Sequence, residues 1–184
     1  MIITISGMPG SGKSTLAKML AEKINYKRYY MGGIMRELAK KNKLSIIEYQ
    51  KLGENNPKID KEIDEYQIKL AKENKDVILE GRTSAFLIPK SIKIFIDVDL
   101  KEGAKRVFND LKKEERSTEE KVQNIEQMKE KMLERMKTEN KRYKKYYSID
   151  NIYDKNKFDI IIDTTKLSIQ EAFEKLIKQL QQYL

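Results

Sequence analysis

The segment Gly7-Met8-Pro9-Gly10-Ser11-Gly12-Lys13-Ser14 constrains this chain more than any other. It has the spacing G-x-x-x-x-G-K-[ST]. In that pattern the glycines let the backbone turn so that successive N–H groups point inward, a cradle for phosphate oxygens. A helix starting at the end of such a loop adds partial positive charge from its N-terminus. The lysine then reaches the outer phosphates, and the serine hydroxyl takes a magnesium ion. Context separates the motif from a chance match in a surface loop. Ile2 to Ser6 is a β-branched run that reads as a buried strand, and Ser14 to Ile24 carries Leu16, Met19, Leu20 and Ile24 on one helical face. The candidate nucleotide-binding residues are therefore Gly7, Met8, Pro9, Gly10, Ser11, Gly12, Lys13 and Ser14, with Thr15 beside them.

The alternation of strand and helix continues along the chain. Tyr29-Tyr30 reads as a short second strand, and Ile34, Met35, Leu38 and Ala39 mark a helix after Gly32-Gly33. Ser45-Ile46-Ile47-Glu48 fits a capping box, and Asn55-Asn56-Pro57 is a break. Ile59, Ile63, Tyr66 and Leu70 step at helical spacing. Val77-Ile78-Leu79 is a third strand, closed by Glu80-Gly81, and Ile92 to Val98 a fourth. Asp99 opens a helix with Ala104, Val107, Phe108 and Leu111 inward. Ser117-Thr118-Glu119-Glu120 can cap a long helix carrying Val122, Ile125, Met128, Met132 and Met136, with a break expected before Tyr146. Phe158 to Ile162 is a fifth strand, and Ser168 caps a last helix. This pattern predicts α/β architecture, a five-stranded parallel sheet with helices on both faces. The strand-poor stretches, about 32–75 and 112–150, are the expected mobile lobes of one domain spanning 1–184.

Composition narrows the chemistry. With no cysteine among 184 residues, a disulfide framework and a thiolate zinc site are excluded. With no histidine, the usual general base and zinc ligand are missing too. Catalysis must rest on carboxylates, Lys, Arg, hydroxyls, backbone N–H groups or a bound ion. The net charge of +9 suits phosphorylated metabolites, nucleic acid or an anionic membrane surface. The start has no basic leader, its apolar run is too short for a signal peptide, and no stretch approaches a membrane span. A soluble, cytoplasmic monomer is the expectation.

A phosphate loop alone separates neither a kinase from an ATPase nor either from a switch. Arginines discriminate better, because phosphoryl transfer needs cationic clamps and Arg offers a fork that Lys lacks. Arg36, Arg82, Arg106, Arg116, Arg135 and Arg142 stand out among many lysines. Arg82 directly follows a strand, where the ligand crevice of an open parallel sheet lies. Arg135, Glu139 and Arg142 share one helix face; a salt-bridged solvated face is the competing explanation for that trio. For a metal carboxylate the candidates are Glu80 and Asp97, with Glu80 ahead; a strand-end cap accounts equally well for Asp97.

In order and spacing these segments resemble the nucleoside monophosphate kinases, and among them the archaeal-type cytidylate kinases. The resemblance runs from Ile3 to Ser14, through Gly32-Gly33-Ile34-Met35-Arg36-Glu37-Leu38-Ala39, Ile59 to Asp64, Glu80-Gly81-Arg82, Arg135-x-x-x-Glu139-x-x-Arg142-Tyr143 and Tyr146 to Asp150, to Asp159-Ile160-Ile161-Ile162-Asp163-Thr164. It implies a three-layer P-loop kinase fold with a monophosphate-binding lobe and a helical lid. It also implies transfer of the γ-phosphate of ATP, with Mg²⁺, to a nucleoside monophosphate, CMP or dCMP first. Arg36 and Arg82 would hold the acceptor phosphate, with Asp60 and Asp64 in the acceptor lobe. Arg135 and Arg142 would belong to the lid, Glu139 would orient them or meet the acceptor, and Arg106 would lie near adenine. The family usually has Asp where this chain has Gly33, and often Ser where it has Tyr30. Those departures leave the base open, so AMP and UMP stay as alternative acceptors. From a different class, a basic nucleic-acid-binding ATPase would also use the loop, but the basic residues are spread along the chain instead of gathered in one stripe.

Overall fold

The computed structural model describes residues 1–44, 48–49, 52–53, 56–112 and 122–183. Its strands are β1 (Ile2–Gly7), β2 (Lys27–Tyr30), β3 (Val77–Glu80), β4 (Ile92–Asp97) and β5 (Ile160–Asp163). They form one five-stranded sheet in the order β2-β3-β1-β4-β5, and every pairing is parallel. The helices are α1 (Lys13–Ile24), α2 (Met31–Lys41), α3 (Pro57–Glu73), α4 (Ser84–Leu87), α5 (Leu100–Lys112), α6 (Ile125–Tyr147) and α7 (Ile169–Leu180).

Alternation along each strand builds two cores. Ile3, Ile5, Ile78, Ile94, Ile96, Ile160 and Ile162 meet Leu16, Ala17 and Leu20 of α1 and Ala172, Leu176 and Leu180 of α7. On the other face Val77 and Leu79 pack on Met31 of α2 and on Ile63 and Leu70 of α3, while Phe95 packs on Ala85 of α4 and on Phe158. Each fully buried side chain of this kind stabilises the fold by about 1.5–3 kcal/mol before the entropy of ordering is counted. The three layers make the α/β arrangement the sequence predicts.

Helix starts follow local chemistry. Asn56 accepts from the Lys58 amide ahead of α3, Asn124 from Gln127 ahead of α6, and Ser168 and Glu171 form a reciprocal capping box on α7. Asp99 accepts from the amides of Lys101 and Glu102.

Several elements differ from the sequence reading. The proposed cap at Ser117 lies outside the described residues, as do the first three residues, 45–47, of the capping box expected at 45–48. The long helix starts instead at Ile125, so Val122 precedes it, and it runs unbroken to Tyr147 before Ser148 turns left-handed at φ 55°. It contains neither Gly nor Pro to break it. Helix α2 takes Gly32 and Gly33 into its first turn, β5 starts at Ile160, and α4 is too short to show a period. Among the described residues no helix is long and apolar enough to cross a membrane.

Candidate active site

The site opens at the carboxyl ends of β1 and β3, where the strand order reverses. The loop after β1 turns through Gly10 at φ 74° and Gly12 at φ 76°, left-handed conformations that favour glycine. Gly10 also has a steric reason: a Cβ there would stand 2.3 Å from the carbonyl oxygen of Gly103 in α5. The approach is reciprocal, since a Cβ on Gly103 would stand 2.7 Å from the Pro9 carbonyl oxygen. Backbone lies against backbone, and α5 fixes the height of the loop.

Glu80 ends β3. Its neighbours in register are Ile5 and Tyr30, and its face of the sheet is the one α1 covers. The buried carboxylate therefore meets the start of α1. Ser14 donates to Oε1 at 2.6 Å and Lys13 Nζ lies 3.3 Å from the same oxygen. Arg28 donates to Oε2 through Nε at 3.0 Å and Nη2 at 2.5 Å. Burial works against the ionised form, but Lys13, Ser14 and Arg28 outweigh it and hold the Glu80 carboxyl below its usual range. Lys13 is lowered, chiefly by burial, with Glu80 opposing.

Across the crevice, Arg82 bridges the loop and α6. Its Nη1 donates to the Gly7 carbonyl at 2.6 Å, and its Nε lies 3.2 Å from Glu139 Oε2. Arg135 Nε donates to Glu139 Oε1 at 3.0 Å, and the Tyr153 hydroxyl donates to Oε2 at 2.5 Å. Burial alone would raise Glu139; Arg82 and Arg135 overcome it and bring the carboxyl down to about 2. Glu139 is thus an anion that orients two arginines at once.

Two cavities meet here. The larger, about 520 Å³, runs from the phosphate loop between α5, α6 and α7, past Arg106, Val107, Met128, Met132 and Ile169. The smaller, about 100 Å³, lies among α2, α3 and α6, beside Met35, Asp60, Asp64, Thr83 and Glu139. Lys13, Tyr30, Arg36, Arg82 and Arg135 line both.

The remaining predicted residues fall as follows. Gly12, Ser14 and Thr15 line the larger cavity with Met8, Pro9, Gly10 and Ser11. Arg106 donates to Glu102 and to the Thr164 hydroxyl and carbonyl, so its in-plane donors are engaged at the cavity wall. Arg36 Nη1 donates to the Tyr30 hydroxyl at 2.7 Å. Asp64 accepts from Gln67 at 2.6 Å and from Thr83 at 2.7 Å. Asp60 pairs with Arg142, Nε to Oδ2 at 2.8 Å, and both are buried. Burial nonetheless dominates Asp60 and pushes its carboxyl up to about 6. The structure does not bring Arg142 to the junction: it lines neither cavity and packs on Asp60 and Tyr143. Arg116 lies outside the described residues. Asp97 pairs with Lys155 and borders a third, open cavity.

Sequence reasoning passed over Arg28, Gln67, Thr83 and Tyr153. Strand alternation was the signal for Arg28. It stands two residues before Tyr30, on the face shared with Glu80.

Residues 2–166 match the model of the cytidylate kinase-like family. A cytidylate kinase of Methanocaldococcus jannaschii is 39% identical over 94% of this chain and 93% of its own length. One from Thermococcus kodakarensis is 41% identical over 89% of this chain and 79% of its own. Among solved structures, shikimate kinase from Bacteroides thetaiotaomicron superposes with a TM-score of 0.64, covering 100% of this chain and 97% of that one. At 14% identity that likeness speaks for the fold alone.

Proposed function

The chain belongs to the cytidylate kinase-like family, and on that footing we propose that it moves the γ-phosphate of ATP to a nucleoside monophosphate, CMP or dCMP first, giving the diphosphate and ADP. One observation carries the reading: the two cavities share Lys13, Arg36, Arg82 and Arg135, four cations where a phosphoryl group would pass between donor and acceptor.

The larger cavity suits ATP. Loop amides and Lys13 would hold the β- and γ-phosphates. Arg106, its in-plane donors engaged, can offer its flat face to the adenine. The smaller cavity suits the monophosphate, with Arg36 and Arg82 on its phosphate and Asp60 and Asp64 on the nucleoside side. The acceptor lobe falls within 32–75, and α6 within 112–150 serves as lid. Arg142 would brace that lid against the acceptor lobe through Asp60, while Arg135, steered by Glu139, reaches the transferring group.

The acceptor phosphate has a second pKa near about 6, so its attacking oxygen is already ionised at neutral pH. No side-chain base is required, which fits a chain without histidine. The residues align the groups, neutralise charge and exclude water. Ser14 Oγ and Glu80 Oε1, 2.6 Å apart, are hard oxygen donors that fit Mg²⁺, Ser14 directly and Glu80 through water. When bound, that ion would neutralise charge on the β- and γ-phosphates. Asp97, engaged by Lys155, does not fit the role.

The test is transfer from ATP·Mg²⁺ to a panel of CMP, dCMP, UMP, AMP, GMP and dTMP, read as diphosphate. Fastest turnover of CMP or dCMP is expected. Turnover of another base alone would move the specificity, and no turnover at all would overturn the reading.

A further inference from the structure

We propose that Tyr30 is a gate: its ring partitions the donor cavity from the acceptor cavity, and its hydroxyl holds the place on Arg36 that an acceptor phosphate must take over. This inference rests on the kinase reading above.

Tyr30 ends β2 in register with Glu80, which sets it beside Lys13 and the phosphate loop. The ring lies over the bare first turn of α2. A Cβ on Gly32 would stand 2.8 Å from a ring carbon, and one on Gly33 would stand 3.0 Å from another. Any side chain at Gly33 would press on the ring. Tyr30 and Gly33 are therefore one feature: a large side chain at 30, and the space cleared for it at 33.

Its surroundings fix the ring. The Arg28 and Arg36 guanidinium carbons stand 5.4 Å and 5.7 Å from its centroid, and Arg36 donates to its hydroxyl at 2.7 Å. Tyr30 borders both cavities, and the acceptor cavity beside it holds only about 100 Å³. Pockets that enclose small molecules start at roughly 300 Å³. A nucleoside monophosphate needs more room than the seated ring leaves.

Two consequences follow. With no acceptor present, the phenol fills the space from which water would reach the γ-phosphorus. Such an attack would form a bond from water oxygen to phosphorus and break the bond to the bridging oxygen. Inorganic phosphate and ADP would result, with the water proton released to solvent. With an acceptor present, a phosphate dianion displaces a neutral phenol from Arg36, because a bidentate pair in which both partners are charged is stronger than a single bond to an uncharged oxygen. The ring then leaves and the acceptor cavity widens.

The experiment compares wild type, Tyr30→Phe and Tyr30→Ser for CMP phosphorylation and for ATP hydrolysis without acceptor. Tyr30→Phe keeps the ring and frees Arg36 from the hydroxyl. Its acceptor KM should fall about threefold, and any rise in hydrolysis should stay well short of the Tyr30→Ser value. Tyr30→Ser removes the partition. Hydrolysis should rise at least about fivefold while ATP KM stays within about twofold. Gly33→Ala, which makes the ring give by a few tenths of an ångström, should raise hydrolysis less than Tyr30→Ser does and add nothing to it in the double variant. Unchanged hydrolysis in Tyr30→Ser, or a higher acceptor KM in Tyr30→Phe, overturns the gate while wild-type transfer leaves the kinase reading standing. Wild type that phosphorylates no monophosphate overturns that reading itself.

Discussion

The proposed donor half and acceptor half of this site are built from different materials. The donor half is mostly backbone: a loop of consecutive residues whose amides and glycine conformations make the cradle, held in place by contact with α5. The acceptor half is mostly side chain, drawn from β2, α2, α3, β3 and α6, and its charges are already matched to one another. Backbone contributes the same groups whatever the ligand, whereas matched side chains must change partners when one arrives. On the proposed assignment the donor half is therefore preformed and the acceptor half self-satisfied, and specificity and control would reside in the second.

Substitutions can break or sharpen that contrast. The largest effect is expected from Lys13→Ala, which belongs to the donor half: kcat should fall about 10³-fold and ATP KM should rise with it. An unchanged ATP KM would show that the loop amides hold ATP without the lysine. Arg82→Ala comes next, with kcat down about 10²–10³-fold and ATP KM within about threefold. Arg82 touches both halves, through Gly7 and Glu139, so equal loss of ATP affinity would move it to the donor side. Glu139→Gln removes the anion that steers two arginines. Breaking so buried a pair should cost about 3 kcal/mol of stability and lower kcat roughly tenfold, read by thermal melts and steady-state rates. A melt equal to wild type would show that these arginines need no carboxylate to hold them.

The smallest expected effect is a slope. Asp60 is raised from its ordinary 3.8 to about 6, so the folded state binds its proton more tightly than the unfolded chain. The stability it contributes is present in full below about pH 4 and is lost as pH rises through about 6. Melting temperature measured from pH 4 to pH 7, wild type minus Asp60→Asn, should fall across that window. A rising difference would mean that Arg142 outweighs burial.

Legibility in the sequence follows the same division. The phosphate loop could be read because its function depends on consecutive residues with fixed spacing. The sheet could be read because buried parallel strands are short apolar runs, as at Val77 to Leu79. Arg82 could be placed because a strand end is a known position in the fold. The Asp60–Arg142 pair and the Glu139–Tyr153 hydrogen bond could not, because each joins residues whose meeting depends on how α3, α6 and the chain after α6 pack. Arg28 was legible in principle, through the alternation that sets it beside Tyr30, but a four-residue strand gives that signal little length.

The close approach of Gly10 and Gly103 bears on any attempt to engineer this protein. A glycine inside a helix is among the first positions chosen for stabilisation, since alanine there gains about 1 kcal/mol in propensity. At Gly103 the new methyl group would meet the Pro9 carbonyl 2.7 Å away, and the loop would have to yield. Backbone gives way only at a cost, about 1–3 kcal/mol for overpacking of this kind, which cancels or exceeds the propensity gain. Helix propensity alone would choose this position as an improvement, and the variant would lose its grip on the nucleotide without becoming more stable.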